Sequence, residues 1–139
     1  MERQDYANYV GPKNLEKYLM KFARYDADPL RLHAGWHWPA FFVSFWWCLY
    51  RKMYLWAVIV LVCAGIPFLG IISWFGFPII ANVLYYRQAR RQIASMKAVF
   101  PENPDVHIAR LGGVNAWVVW VALGITALFL LIGLAAMAV

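Results

Sequence analysis

Few side chains in this sequence could do chemistry. His33 and His37 stand four apart, a spacing that can put two imidazoles on one helix face to hold a metal. No third ligand lies nearby, and Gly35 falls between them in what reads as a loop. Both are therefore expected to hydrogen-bond water or headgroups at an interface. His107 is isolated. Cys48 and Cys63 sit in apolar runs without a CxxC neighbour, which points to packing residues rather than a disulfide or a metal site. Ser44, Ser73 and Ser95 lack a GxSxG context. The sequence has no HExxH, no Gly-rich phosphate loop and no paired carboxylate in an apolar setting. Glu102 and Asp105 share a Pro-rich loop and are expected to be solvated. No catalytic, metal or cofactor residue is assigned, and no enzyme activity is expected.

Three other groups of residues suggest contacts rather than reactions. Arg51 and Lys52 separate two apolar segments, where basic residues anchor topology and meet phosphates. With Arg87, Arg90 and Arg91 they form the expected lipid, anion or partner contacts. Asn82 is the strongly polar side chain deep in the second arm of an expected helical hairpin over 53–90. Lipid cannot satisfy its amide, so it is expected to pack against protein, with a substrate or ion ligand as the sharper alternative. Nothing acidic lies in any apolar stretch, so a proton relay or cation pathway lacks its usual residue. Trp36, Trp38, Trp46, Trp47, Tyr50 and Tyr54 are the expected interface aromatics, since amphipathic rings favour the membrane–water boundary.

The elements that must position these residues read as membrane segments. Apolar residues make up 63% and charged residues 14% of 139, against roughly 45–50% and about 25% in a soluble domain. A soluble chain this short cannot hide that much apolar surface. The net charge of +6 would suggest nucleic acid in a soluble protein. Here the basic residues flank apolar runs, so membrane lipids are the expected partner and nucleic acid is not.

Residues 1–35 are polar and basic, with no apolar h-region, so no secretory signal peptide is expected. Within them Leu15, Tyr18, Leu19 and Phe22 recur at helical spacing and predict an amphipathic helix over 13–25. That helix could lie on anionic lipid or dock on the protein's own cytoplasmic surface. The stretch 36–52 is apolar and aromatic but short of the about 20 residues that a span needs, so an interfacial or re-entrant helix is expected. No charge occurs from Met53 to Tyr86. With Gly65, Pro67, Gly70 and Gly76 in its middle, 53–90 reads as a hairpin with arms near 53–70 and 73–90. Residues 91–113 continue as an amphipathic helix stopped by Pro101, Asn103 and Pro104, followed by a loop with Gly112 and Gly113 at the bend. The stretch 114–139 reads as the last transmembrane helix.

All 13 Lys and Arg fall before residue 36, at 51–52 or within 87–110. Keeping all three blocks inside requires two crossings between Lys52 and Arg87 and none between Arg31 and Arg51. The expectation is an all-α membrane protein with three transmembrane helices, its N-terminus cytoplasmic and Val139 outside. A fourth crossing through 36–50 would carry the basic N-terminus out.

Trp36–Tyr54, WHWPAFFVSFWWCLYRKMY, resembles the hallmark of the bacterial membrane family called domain of unknown function 2628. Trp38, Ala40, Phe41, Phe42, Trp47, Tyr50, Arg51, Lys52, Met53 and Tyr54 match its pattern. Asn82 with Tyr85 and Tyr86 is similar to the family's Asn-x-x-Tyr-Tyr element, and Gly112-Gly113 to a weaker Gly-Gly feature. His37 stands where the family has Asn, Pro39 where it has Ala, and Ser44-Phe45 where it has Gly-Pro. The resemblance covers about residues 14–115. It implies a small protein of the bacterial inner membrane and no particular reaction. A non-enzymatic accessory or scaffold component, self-associating or part of a larger membrane complex, is the leading expectation. An oligomeric transporter or channel subunit lined by Asn82 or Thr126, and an anionic-lipid-binding membrane-shaping protein, are the alternatives.

Overall fold

The computed structural model describes residues 1–28 and 33–137. Arg31 and Val139, named above, lie outside them. Among the described residues there are seven α-helices and no strand: α1 (Arg3–Val10), α2 (Leu15–Ala27), α3 (Trp38–Tyr50), α4 (Tyr54–Ala64), α5 (Pro67–Val99), α6 (Pro104–Leu111) and α7 (Trp117–Met137).

The core is aromatic and lies toward the polar end of α5. The stripe Tyr18, Leu19, Phe22 and Tyr25 of α2 is buried against Tyr85 and Tyr86 of α5, with Phe22 packed on both tyrosine rings at 5.7 and 5.4 Å. This answers the question the sequence left open about 13–25: its apolar face is spent on protein. Tyr6, Tyr9 and Val10 of α1 join the same core. Neither α1 nor α6 is expected from sequence. In α6, Pro104 occupies the first turn and Asp105 follows it. A proline loses no hydrogen bond there, and an acidic side chain faces the positive helix end. Asp105 is thus a helix-start residue rather than part of a loop. Gly112 closes α6 where a Cβ would stand 1.9 Å from the Tyr9 carbonyl oxygen, so α1 and α6 approach as only glycine permits.

The segment 36–52 leaves the aromatic core and returns to it. The Gly35 N–H donates to the Ile79 carbonyl at 3.1 Å. Farther down α5, the Trp74 indole donates to the Phe41 carbonyl at 2.7 Å, and the Phe41 and Trp74 rings stack. At the far end, the Lys52 carbonyl accepts from Gln88. The reversal comes at Val43, whose backbone is non-helical (φ −139°, ψ 46°). The Ser44 hydroxyl donates to the Ala40 carbonyl beside this break, a local bond that competes with the helix ladder and bends it.

The expected hairpin arms need correction. The turn falls at Gly65 and Ile66, because Pro67 opens the next helix at once. One arm, α4, has 11 residues and rises only about 16 Å. The other, α5, runs 33 residues through Pro78 to Val99.

Two helices, α5 and α7, are long and apolar enough to cross a membrane by length and composition. The 21 residues of α7 rise about 31 Å, close to the about 30 Å of a hydrocarbon core. Among them only Val118 is buried. Asn115 ties the start of α7 to the α3–α4 turn: its side-chain amide donates to the Leu49 carbonyl at 2.9 Å and to the Tyr54 hydroxyl at 2.8 Å.

Candidate functional site

Arg51 is the centre of the polar structure. It follows α3 and is 2% exposed. Its guanidinium donates to the carbonyls of Val10 at 3.4 Å and Lys13 at 3.1 Å, the two ends of the α1–α2 connection. It also lies over the rings of Tyr18 at 4.4 Å and Tyr85 at 5.3 Å. Burying a cation is costly unless it is paired. Here carbonyl dipoles and aromatic faces stand in for a carboxylate. The compensation is incomplete, because Nε has no partner.

Lys52 sits beside it in the left-handed region (φ 57°). Its ammonium donates to the carbonyls of Arg110 at 3.0 Å and Gly112 at 2.5 Å. A cation at the carbonyl end of α6 meets the negative pole of that helix. Arg51 and Lys52, expected as lipid, anion or partner contacts, also bond within the fold, Arg51 onto the α1–α2 connection and Lys52 onto the end of α6, because those backbone carbonyls have no helical donors of their own.

His37 begins α3. Its Nδ1 accepts the Ala40 N–H at 3.1 Å, and its Nε2 lies 3.4 Å from the Tyr18 hydroxyl. The first bond requires an unprotonated Nδ1, so the neutral ring carries its proton on Nε2 and offers it to Tyr18. Burial, then the charges of Lys21, Lys17 and Arg51, push the imidazole down to about 4. Burial also raises the Tyr18 phenol. His33 is engaged elsewhere, with the Asp28 carbonyl at 2.7 Å and the Tyr25 ring. The two histidines form no pair, and among the described residues no three His, Cys, Asp or Glu come together as a metal site would need.

Arg51 and His37 border a cleft of about 480 Å³ between α2, α3 and α7. Asn14, Lys17 and Tyr18 complete its polar end. Trp46, Val118, Val119, Ala122 and Leu123 form apolar walls, and Thr126 lies farthest along α7. No Asp or Glu lines it.

The remaining expected contacts are spread out. Arg90 is exposed but committed to Asp26 at 3.8 Å and the Tyr86 hydroxyl at 3.2 Å. Arg87 and Arg91 are exposed on α5. Asn82 is 1% exposed, and its Oδ1 has no partner. Trp36, Trp38 and Tyr54 are exposed, Trp46 and Tyr50 half-buried, and Trp47 is buried against His37 and Tyr85.

Sequence reasoning missed the tyrosine core and the Asp26 hub, which accepts from the Tyr6 hydroxyl at 3.0 Å and the Tyr86 hydroxyl at 2.5 Å. The signal was present in the spacing of Tyr6, Tyr9 and Val10, which continues the pattern of an apolar helix face. Comparison with family models, curated proteins and solved structures gives no match.

Proposed function

We propose that this chain is a non-enzymatic accessory or scaffold component of a bacterial inner membrane, with a polar-facing helical head on an apolar foot. One observation carries the reading: the polar groups whose types could do chemistry are largely consumed in holding the head together, whereas α7 is left almost bare. Arg51, Lys52, His37, Asp26 and Asp5 all bond to other parts of the fold. Exposed apolar side chains also cover α4 and the first half of α5, including Leu55, Val58, Phe68 and Ile71. Such a surface suits lipid and membrane-embedded partners.

The proposal includes three crossings, by α4, the first half of α5 and α7, with the N-terminus cytoplasmic. It takes α3 as a re-entrant excursion, since both ends of α3 bond to the α1–α2 layer. At about 16 Å, α4 is short for a crossing, so local thinning of the bilayer is part of the proposal. The resemblance to domain of unknown function 2628 belongs to the same proposal. Its support is that the break at Val43 directly precedes Ser44-Phe45, where the family carries Gly-Pro.

Purification of the full chain in mild detergent, with mass spectrometry of co-purifying proteins and sizing, tests the role. Self-association or a reproducible membrane partner is expected, and a strictly monomeric, partnerless chain would overturn it. Labelling of single cysteines by a membrane-impermeant maleimide tests the topology. Positions near 103 should react only from the cytoplasmic side, and a position after 137 only from the outside.

A further inference from the structure

We infer that the cleft between α2, α3 and α7 is a binding site for one anionic phospholipid, its phosphate at Arg51 and Lys17 and an acyl chain along α7. The inference rests on the proposed membrane reading, because it needs α7 embedded in lipid.

Arg51 is buried, cationic and without a carboxylate partner, and its Nε is unsatisfied. A buried charge with an open donor is a defect in a finished core. It is accounted for if an anion completes the site. Lys17 stands at the same end with an exposed side chain. Three acids of the head are held in ion pairs: Glu16 with Arg3, Asp5 with Lys97 and Asp26 with Arg90. No Asp or Glu lines the cleft, so a counter-charge there comes from outside the chain.

The shape then selects the kind of anion. Past the polar end the walls are apolar from Trp46 to Leu123. From Val118 to Thr126 the helix rises about 12 Å. A small inorganic anion would leave that wall empty, and a zwitterionic lipid would bring its own cation beside Arg51 and Lys17. An amphiphile with a phosphate head and an aliphatic tail satisfies both ends. The phosphate accepts charge-assisted hydrogen bonds from guanidinium and ammonium groups, and the tail continues into the bilayer beside α7.

The test is native mass spectrometry of the delipidated full chain with phosphatidylglycerol or phosphatidylcholine added. The wild type should retain one phosphatidylglycerol, with a preference over phosphatidylcholine on the order of tenfold, the effect of keeping the choline cation away from Arg51 and Lys17. Lys17→Glu places a carboxylate in the polar end at an exposed position and should abolish the preference. Ala122→Phe fills the apolar part and should reduce retention of both lipids. Leu130→Phe, on exposed α7 beyond the cleft, should match the wild type. Inorganic phosphate at millimolar concentration should not displace the lipid. Equal retention of the two lipids by the wild type, wild-type retention by both cleft variants, or displacement by phosphate would each overturn the inference. Carbonate extraction of the same variants separates this from failure of the membrane reading. A chain that stays in the membrane but shows no headgroup preference removes the site alone, whereas a chain that washes off removes the parent proposal.

Discussion

His37 and Trp47, ten residues apart in sequence, have ring centroids 4.7 Å apart. An unbroken helix would separate their backbones by about 15 Å. The break at Val43 bends the chain between them, so the N-cap of α3 rests on the last turn of the same element, beneath Tyr18 of α2. Both ends of the aromatic segment are thereby fixed to one layer.

That contact makes stability depend on pH. His37 is pushed down to about 4, from an ordinary value of about 6.5. Between those values the unfolded chain takes up a proton that the folded chain refuses. The contribution is therefore fully present above about pH 6.5 and is lost as pH falls toward about 4. Protonation would also destroy the Nδ1 acceptor for Ala40. His37→Asn keeps an N-cap acceptor without a titrating group. Thermal unfolding in detergent at about pH 7.5 and 5 should show a smaller pH difference for the variant, and an unchanged difference would refute the assignment.

Arg51→Lys should not be conservative. An ammonium can reach one of the Val10 and Lys13 carbonyls but cannot span both while stacking flat on Tyr18. The expected loss is roughly 2–3 kcal/mol from the unmade hydrogen bonds and stacking. Limited proteolysis after Lys13 should accelerate in parallel. A variant as stable as the parent would show that the two carbonyl bonds contribute nothing.

The adjacent glycines should differ. Gly112→Ala drives a Cβ into the Tyr9 carbonyl, where 1.9 Å is available, and backbone must move at a cost of about 2 kcal/mol or more. Gly113 has φ 74° and open space around its Cα, so Gly113→Ala should cost only the left-handed strain, about 1–2 kcal/mol. Denaturation midpoints of the two variants give the order, and the reverse order would contradict the α1–α6 packing.

Asp26 should show coupled losses. Tyr6 and Tyr86 both donate to its Oδ1. Either Tyr→Phe change alone leaves one phenol on the carboxylate and should cost about 1 kcal/mol. The double variant leaves only Arg90, at 3.8 Å, and should cost more than the two singles combined. Simple additivity in a double-mutant cycle would argue against a shared acceptor.

The all-helical architecture was legible from periodicity and from charge-free runs, which depend on local spacing. The α2 stripe and the continuation of α5 past Tyr86 were visible for that reason. The bonds of Arg51 and Lys52 within the fold were not legible, since a basic pair between apolar runs looks the same with or without carbonyls brought to it from residues 10, 13, 110 and 112. The short α4 was misread because Gly65, Pro67, Gly70 and Gly76 offered several turn positions, and the helix that opens at Pro67 takes the first. The cleft was invisible for a similar reason: Lys17, Arg51 and Ala122 come from three elements with no common sequence signature.

The head joins the two ends of the polar sequence over long chain distances. Tyr9 bonds Gln92 across 83 residues and Asp5 bonds Lys97 across 92. During synthesis α1 and α2 therefore emerge long before the part of α5 that completes their core. On the proposed topology, the head can close only if the intervening hairpin has inserted with both feet on one side of the membrane. A chain threaded the wrong way leaves the tyrosine face of α2 uncovered and open to proteases. Head closure thus acts as a built-in checkpoint on biogenesis. In pulse-labelled cells the N-terminal helices should remain protease-sensitive until residue 97 has left the ribosome, and early protection would show that they fold without α5.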